Sequence, residues 1–137
     1  MNILGIETSC DETSASIISD GKLISNIIYT QQIHSKYGGV VPELASQEHL
    51  NEIIAVINKS LDEAHLKLSN LNAIAVTYGP GLMGSLLVGL NFVKAMSLSL
   101  KIPFLGINHL EGHLFSNYID NQNISFPNVC LLVSGGH

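Results

Sequence analysis

The chain has 137 residues, of which 46% are hydrophobic and 12% are charged, so it is long enough for about one folded domain with a hydrophobic core. The low charged fraction indicates either extensive burial or an apolar surface that meets a partner. Six lysines and arginines against eleven aspartates and glutamates give a net charge of −5, which argues against nucleic-acid binding by this chain alone, because affinity for phosphates depends on clustered cations.

The first thirty residues predict three strands. Apolar-rich runs cover residues 2–8, 14–19 and 22–30. Asp20 and Gly21 separate the second run from the third, and an Asp-Gly pair is a strong signal for a tight hairpin turn. We therefore expect the chain to begin with antiparallel strands.

From Pro42 onward, helices alternate with short strands. Apolar residues at three- and four-residue spacing predict a helix that begins at Pro42, a residue suited to the first turn of a helix. The later elements are a strand at 72–77, a helix at 83–100, a strand at 102–107, a helix at 109–118 and a strand at 129–133.

This order of elements is typical of a ribonuclease-H-like unit. Three antiparallel strands followed by alternating helices and strands give an α/β fold, a mixed sheet with helices packed on it. Actin-like ATPases and sugar kinases contain two such units with a nucleotide between them. We expect residues 1–127 to form one complete actin-like unit and residues 128–137 to supply the first strand of a truncated second unit.

Sequence features of export, membrane insertion and cysteine cross-linking are weak. No apolar run approaches the roughly 18 residues of a spanning helix, and the first ten residues lack a basic start. Cys10 and Cys130 lie far apart without a CxxC motif, which predicts two free thiols.

The most specific chemical signal is a pair of histidines, His109 and His113. Four-residue spacing on a helix places two side chains on one face, close enough to share a metal ion. The alternative is two unrelated histidines of the surface or core. A zincin-type peptidase is disfavoured because Leu110 follows the first histidine, and Glu111 should face away from the metal. Two imidazoles also leave a site that needs at least a third ligand.

The loop at residues 7–13, between the first two predicted strands, is the second signal. A tight turn at this place in an actin-like unit meets phosphates through backbone N–H groups and hydroxyls, which Thr8, Ser9 and Thr13 would supply. Asp11 and Glu12 would repel a phosphate, so they more reasonably hold water or a cation or accept a proton. The alternative is an acidic hairpin turn exposed to solvent.

Glycines mark two further segments. Residues 134–137, Ser-Gly-Gly-His, would let backbone N–H groups approach a ligand, although most such glycine pairs are simple turns. Residues 78–85 lack the lysine of a P-loop. Gly79 and Gly81 lie where a strand ends and a helix begins, a place suited to anion contact, whereas Gly84 and Gly89 suit close packing of the helix on the sheet, and we favour packing. His34, His49 and His65 have no partner spacing and are interpreted as surface or boundary residues.

Six segments in register carry a resemblance to a known family. Together they resemble the bacterial branch of the TsaD family of tRNA threonylcarbamoyladenosine transferases, over the N-terminal part of the family's length. The segments are Ile6-Glu-Thr-Ser-Cys-Asp-Glu-Thr13, Gly38-Gly-Val-Val-Pro-Glu43, Ala45-Ser-Gln-Glu-His49, Gly79-Pro-Gly-Leu-Met-Gly84, His109-Leu-Glu-Gly-His113 and Leu132-Val-Ser-Gly-Gly-His137.

The resemblance implies an activity and a set of site residues. The expected reaction moves a threonylcarbamoyl group from threonylcarbamoyl-AMP to the adenosine next to the anticodon of tRNA. His109 and His113 match the family's metal ligands, which hold one iron or zinc ion, and the remaining protein ligand is an aspartate late in the family sequence. Asp11 and Glu12 match acidic residues implicated in activity. The matched substrate-binding segment consists of Leu132, Val133, Ser134, Gly135 and Gly136.

The resemblance also implies partners and a location. Bacterial members act on tRNA in the cytoplasm, away from membranes, with a smaller actin-like paralogue of the TsaB type and a P-loop ATPase of the TsaE type. Two alternatives remain at this point: a metal-dependent peptidase, and a non-catalytic actin-like partner subunit, which should lack the histidine pair. We expect the 137-residue chain alone to be inactive.

Overall fold

Five strands, three α-helices and two short 3-10 helices make up the fold in the computed structural model, which describes residues 1–119 and 123–133. The strands form one mixed sheet in which the third strand along the chain lies at one edge and the fifth at the other. The elements are β1 (Asn2–Glu7), β2 (Glu12–Ser19), β3 (Lys22–Thr30), α1 (Pro42–Glu63), β4 (Ala73–Gly79), α2 (Met83–Leu100), β5 (Phe104–Asn108) and α3 (His109–Ser116).

The sheet has the strand order β3-β2-β1-β4-β5. β2 pairs antiparallel with both β1 and β3, whereas β4 pairs parallel with β1 and β5. Asp20 and Gly21 both have positive φ, as the tight hairpin between β2 and β3 requires. The predicted α/β, actin-like (ribonuclease-H-like) architecture is confirmed.

The hydrophobic core lies between one face of the sheet and the two long helices. Alternation along the strands buries Leu4, Ile17 and Ile74 on this face, where α1 contributes Ile53 and α2 contributes Val93. Because α1 and α2 both connect strands that run in the same direction, right-handed crossovers place them on the same side. Because β1, β4 and β5 are parallel, their carboxyl ends lie together at the same end of the sheet.

The last predicted strand is not formed. The described residues 128–133 have no regular secondary structure, and Val129 and Val133 are 100% and 80% exposed. A strand needs a neighbour for its backbone N–H and C=O groups, and no strand of the described chain pairs with this segment. The predicted division between residues 1–127 and 128–137 stays a prediction. Residues 134–137 lie outside the described part of the chain.

Helix α2 corrects a second expectation. It is long and apolar enough to cross a membrane by length and composition alone, contrary to the prediction that no such run occurs. The prediction counted uninterrupted apolar residues, whereas α2 spreads its apolar side chains over all sides. Leu86 and Val93 are buried under the sheet, and Leu87 lies on the opposite, exposed side. A single helix of this length and composition, with 22% of its residues buried, is weak support for a membrane span.

Candidate functional site

The histidine pair lies at the junction between β5 and α3. Asn108 ends the strand, and its side-chain oxygen accepts hydrogen bonds from the N–H groups of Leu110 and Glu111. This cap starts the helix at His109, so His113 falls one turn later on the same side. The Nε2 atoms of His109 and His113 lie 3.1 Å apart, and the two rings meet edge to face.

The distance between the two rings suits a shared metal ion. Imidazole nitrogens bind zinc at roughly 2.0–2.1 Å, so two adjacent ligands at tetrahedral or octahedral angles lie about 2.8–3.4 Å apart. The observed separation of 3.1 Å falls within that range. Within residues 1–119 and 123–133, no group of three histidine, cysteine, aspartate or glutamate side chains could hold a metal ion. The pair thus offers two ligands.

The loop at residues 7–13, here called the first loop, contacts His109 on the side of the ring that faces away from His113. Ser9 Oγ lies 3.1 Å from His109 Nδ1, and Glu7 Oε1 lies 3.6 Å from the same atom. The backbone N–H of Ser9 donates a 2.7 Å hydrogen bond to Glu7 Oε1. The structure therefore brings together two motifs that are one hundred residues apart in sequence. Glu7 was missed in the sequence, because only the fold places it beside His109.

A cleft of about 400 Å³ opens where the loop, the sheet and α3 meet. It lies on the face of the sheet opposite α1 and α2, and its walls are mostly small or polar. Leu132 and Val133 are not part of its lining, and Ser134, Gly135 and Gly136 lie outside the described residues. The lining residues are Glu7, Glu12, Ser14, Asn26, Ile28, Thr77, His109, Gly112, His113 and Ser116.

Asp11 and Glu12, which the sequence grouped together, point to different places. Glu12 lines the cleft, and its Oε1 accepts a 3.1 Å hydrogen bond from the Thr30 hydroxyl. Asp11 borders a separate depression beside Gln31, whose N–H donates to the Asp11 carbonyl. Adjacent residues at the start of a strand face opposite sides of the sheet. Glu12 is thus the acidic residue of this pair that faces the histidines.

The three hydroxyls predicted to bind phosphate are all engaged within the protein. Thr8 and Thr13 are fully buried, and Ser9 is 2% exposed. The Thr8 hydroxyl donates to the Ser85 carbonyl at 2.8 Å, and the Thr13 hydroxyl meets His49 at 2.7 Å. These hydroxyls therefore already have partners inside the fold, and their contact with a phosphate stays a prediction. Their role in the described structure is to fix the shape of the loop.

His49 is buried beneath the loop, not at the surface as predicted, and is 0% exposed. Its Nε2 donates to the Cys10 carbonyl at 3.0 Å, and its Nδ1 accepts from the Thr13 hydroxyl. Burial lowers the pKa of His49, so the ring is held neutral. A signal was present in the sequence, since four-residue spacing puts His49 on the same helix face as the buried Ile53 and Ile57.

The other two unassigned histidines differ from each other. His34 is also buried, contrary to prediction, and its Nε2 lies 2.8 Å from the side-chain oxygen of Gln31. His65 is exposed, as predicted, just beyond the end of α1.

Glycines of the 78–85 segment and of α2 serve close packing. A Cβ on Gly81 would collide with Ser9, and one on Gly89 would collide with the Thr8 hydroxyl. The Leu82 N–H also donates to the Ser9 carbonyl at 2.8 Å. The packing interpretation of these glycines is supported, because the segment packs directly against the first loop.

Cys10 lies in the same loop, but its environment disfavours the reactive thiolate form. Burial, followed by the hydrogen bond and charge of Asp11, raises the pKa of the Cys10 thiol from 9.0 to about 11. The thiol therefore stays protonated at neutral pH and is a poor nucleophile. Cys10 and Cys130 are both free, as predicted.

Comparison with known proteins gives consistent matches. The family model of TsaD, tRNA N6-adenosine threonylcarbamoyltransferase, matches residues 22–137. A tRNA N6-adenosine threonylcarbamoyltransferase of Caldicellulosiruptor saccharolyticus is 53% identical over the whole of this chain. The match covers 41% of that relative, so the chain spans about two fifths of the length of the curated relatives it matches.

Two solved structures are similar in fold. YeaZ from Pseudomonas aeruginosa superimposes with a TM-score of 0.69 at 20% identity, over 87% of this chain and 49% of that one. The ROK hexokinase of Thermus thermophilus superimposes with a TM-score of 0.54 at 12% identity, over 86% of this chain and 38% of that one. At these identities the likeness concerns the fold alone.

Proposed function

Because the chain belongs to the TsaD family, we propose that it forms the first part of a tRNA N6-adenosine threonylcarbamoyltransferase. The proposed reaction moves a threonylcarbamoyl group from threonylcarbamoyl-AMP to the exocyclic amine of the adenosine beside the anticodon. The observation that carries the proposal is the 3.1 Å approach of His109 and His113 at a cleft bordered by the first loop. Because this chain spans about two fifths of the length of its relatives, we propose that activity requires the full-length protein.

His109 and His113 are the proposed ligands of one iron or zinc ion. Their Nε2 atoms have the separation that two ligands of a single ion require. When bound, the metal would polarise the carbonyl of the threonylcarbamoyl group and stabilise negative charge on its oxygen. A further protein ligand, expected from the resemblance to be an aspartate, belongs to the same proposal.

Glu12 is the proposed acceptor of the proton that the attacking amine loses. The nitrogen of the adenosine amine bonds to the carbamoyl carbon, the bond from that carbon to the AMP oxygen breaks, and AMP leaves with the electron pair. Glu12 faces the cleft that contains the histidines and is held by Thr30, whereas Asp11 does not line it. These contacts support Glu12 over Asp11 as the proposed proton acceptor.

The exposed faces of α1 and α2 are the proposed docking surface for a smaller actin-like paralogue of the TsaB type. Leu50 and Ile54 on α1 are 62% and 57% exposed, and Met83 and Leu87 on α2 are 74% and 45% exposed. A groove of about 290 Å³ runs between the two helices. Exposed apolar patches of this kind mark interaction sites, and this one also explains the low charged fraction of the chain.

Most of the positive charge that binds tRNA is proposed to come from outside this chain. With a net charge of −5, this chain repels phosphates, so the cations that face tRNA belong in the proposal to the rest of the enzyme, to the paralogue and to a P-loop ATPase of the TsaE type. A cytoplasmic location belongs to the same proposal, because the proposed substrates are threonylcarbamoyl-AMP and tRNA. The peptidase alternative is not favoured, because Glu111 is absent from the cleft lining.

The test is a His109→Ala variant of the full-length enzyme. We expect the bound metal and the tRNA modification to be lost together, because only His113 and the expected aspartate would remain as protein ligands of the ion. His65→Asn, a histidine variant at an exposed position away from the cleft, is the matched control and should retain both. Normal metal content and modification in the His109→Ala enzyme would refute the proposed site.

A further inference from the structure

The two ring nitrogens of His109 have different surroundings. Nε2 faces Nε2 of His113 at 3.1 Å, whereas Nδ1 faces Ser9 Oγ at 3.1 Å and Glu7 Oε1 at 3.6 Å. The inference that follows rests on the proposed function, since it concerns the metal that His109 and His113 would share.

Metal binding through both Nε2 atoms fixes the position of the ring protons. Each Nε2 must present its lone pair to the ion, so His109 must carry its proton on Nδ1 and donate it. Ser9 Oγ is within hydrogen-bond distance to accept that proton. Glu7 is too far for a hydrogen bond, but its negative charge lies close enough to stabilise the N–H dipole.

Glu7 is unsuited to be a ligand in this arrangement. Its carboxylate lies on the Nδ1 side of the ring, whereas His113 lies on the Nε2 side. The Ser9 N–H, at 2.7 Å, holds the carboxylate where it is. Ser9 itself is fixed from below, because the Leu82 N–H donates to its carbonyl and Gly81 packs directly on it.

We propose that Glu7 and Ser9 are positioning residues that orient His109 and select its metal-binding tautomer. Histidine ligands generally donate their second ring N–H to a carboxylate or another acceptor, and removing that acceptor weakens metal binding by roughly 10–100-fold. The pair also couples the first loop to the metal site. Shifting the loop moves the hydrogen-bond acceptor of His109 and thereby changes metal affinity without touching a ligand.

The test measures Zn²⁺ affinity of the full-length protein by competition with a chromophoric chelator. The variants are Glu7→Gln, which keeps the size and removes the charge, and Ser9→Ala, which removes the acceptor. We expect each to weaken Zn²⁺ binding by roughly 10–100-fold. Glu63→Gln, at the exposed carboxyl end of α1, is the control and should bind Zn²⁺ like the parent. Parental affinity in both Glu7→Gln and Ser9→Ala would overturn the proposal.

Two further measurements distinguish the possible causes of weaker Zn²⁺ binding in these variants. Zinc-edge X-ray absorption should give the same set of ligand atoms in the parent and in Glu7→Gln, and loss of an oxygen neighbour in the variant would show Glu7 to be a ligand instead. Unfolding of the metal-free proteins should be alike, since a general loss of stability would mean a merely structural role. If His109→Ala binds Zn²⁺ as the parent does, the proposed metal site itself fails, a result distinct from failure of the positioning role.

Discussion

The imidazole of His49 ties α1 to the first loop through both of its ring nitrogens. The donor to the Cys10 carbonyl and the acceptor from Thr13 can both operate only when the ring is neutral, with its proton on Nε2. Because Cys10 and Thr13 flank Asp11 and Glu12, the conformation of the acidic turn depends on a side chain that touches no substrate. A buried residue that does not line the cleft thus stabilises the loop that borders it.

The stability of the protein should depend on the protonation of His49. Burial lowers its pKa below the ordinary 6.5, so on acidification the unfolded chain takes up this proton before the folded one does. His49 should therefore reduce the free energy of unfolding as pH falls below about 6.5, by up to about 1.4 kcal/mol per pH unit. Urea unfolding of the parent and a His49→Gln variant at pH 7.5 and 5.5 measures this contribution.

The variant should be less stable than the parent by about 1–3 kcal/mol at pH 7.5, because buried partners of His49 lose their hydrogen bonds. The gap should narrow at pH 5.5, where only the parent still carries the protonation penalty. An equal gap at both pH values would contradict the account of His49.

Glu12 and Asp11 should differ in their effect on catalysis. Glu12 lines the cleft and Asp11 does not, so Glu12→Gln should lower kcat by roughly 10²–10⁴-fold, the usual contribution of a positioned base. Asp11→Asn should lower kcat less. Single-turnover modification of tRNA by the two full-length variants, at saturating threonylcarbamoyl-AMP, compares them directly. A larger loss in Asp11→Asn would transfer the proposed role to Asp11.

At the scale of elements, α1 and α2 each have two apolar faces. One packs on the sheet through residues such as Ile53 and Val93, and the other, with Leu50 and Leu87, is exposed. A soluble domain rarely keeps so many apolar side chains exposed on adjacent helices unless they are covered in the assembly. This second face also explains why α2 has the composition of a spanning helix.

Charge on this second face should prevent docking of the paralogue. Leu50→Glu combined with Leu87→Glu would bury two unpaired carboxylates in the proposed interface, and we expect the complex with the paralogue to be lost in size-exclusion chromatography. Leu68→Glu adds a single carboxylate to an exposed turn and should leave the complex intact. An undisturbed complex in the double variant would exclude this surface.

The elements were predictable where one periodicity dominates. The spacing of apolar residues and a single Asp-Gly turn predicted β3 and α2 with the bounds that the structure shows. The segment at 129–133 has the composition of a strand but no neighbouring strand in the described chain, and composition alone cannot supply a partner. Local patterns therefore predicted elements well and pairing less well.

At the scale of the whole molecule, the site results from topology. The parallel strands β1, β4 and β5 end at the same edge, so the first loop and α3 meet although the chain between them is long. The sequence predicted the histidine pair, because four-residue spacing on a helix is a local property. It could not predict Glu7 beside His109 or the burial of Thr8, because each depends on packing between distant segments. The separation of Asp11 from Glu12 follows from the alternation of adjacent residues at the start of a strand, a local property that the sequence grouping of the two residues ignored.

In the proposed enzyme, His109 and His113 share one metal ion beside the first loop. Anomalous diffraction at the zinc edge, from crystals of the full-length protein grown with Zn²⁺, tests it most directly. We expect a single strong peak about 2.1 Å from both Nε2 atoms, with Ser9 Oγ on the opposite side of the His109 ring. A peak that contacts neither ring, or rings turned away from each other around separate ions, would contradict it.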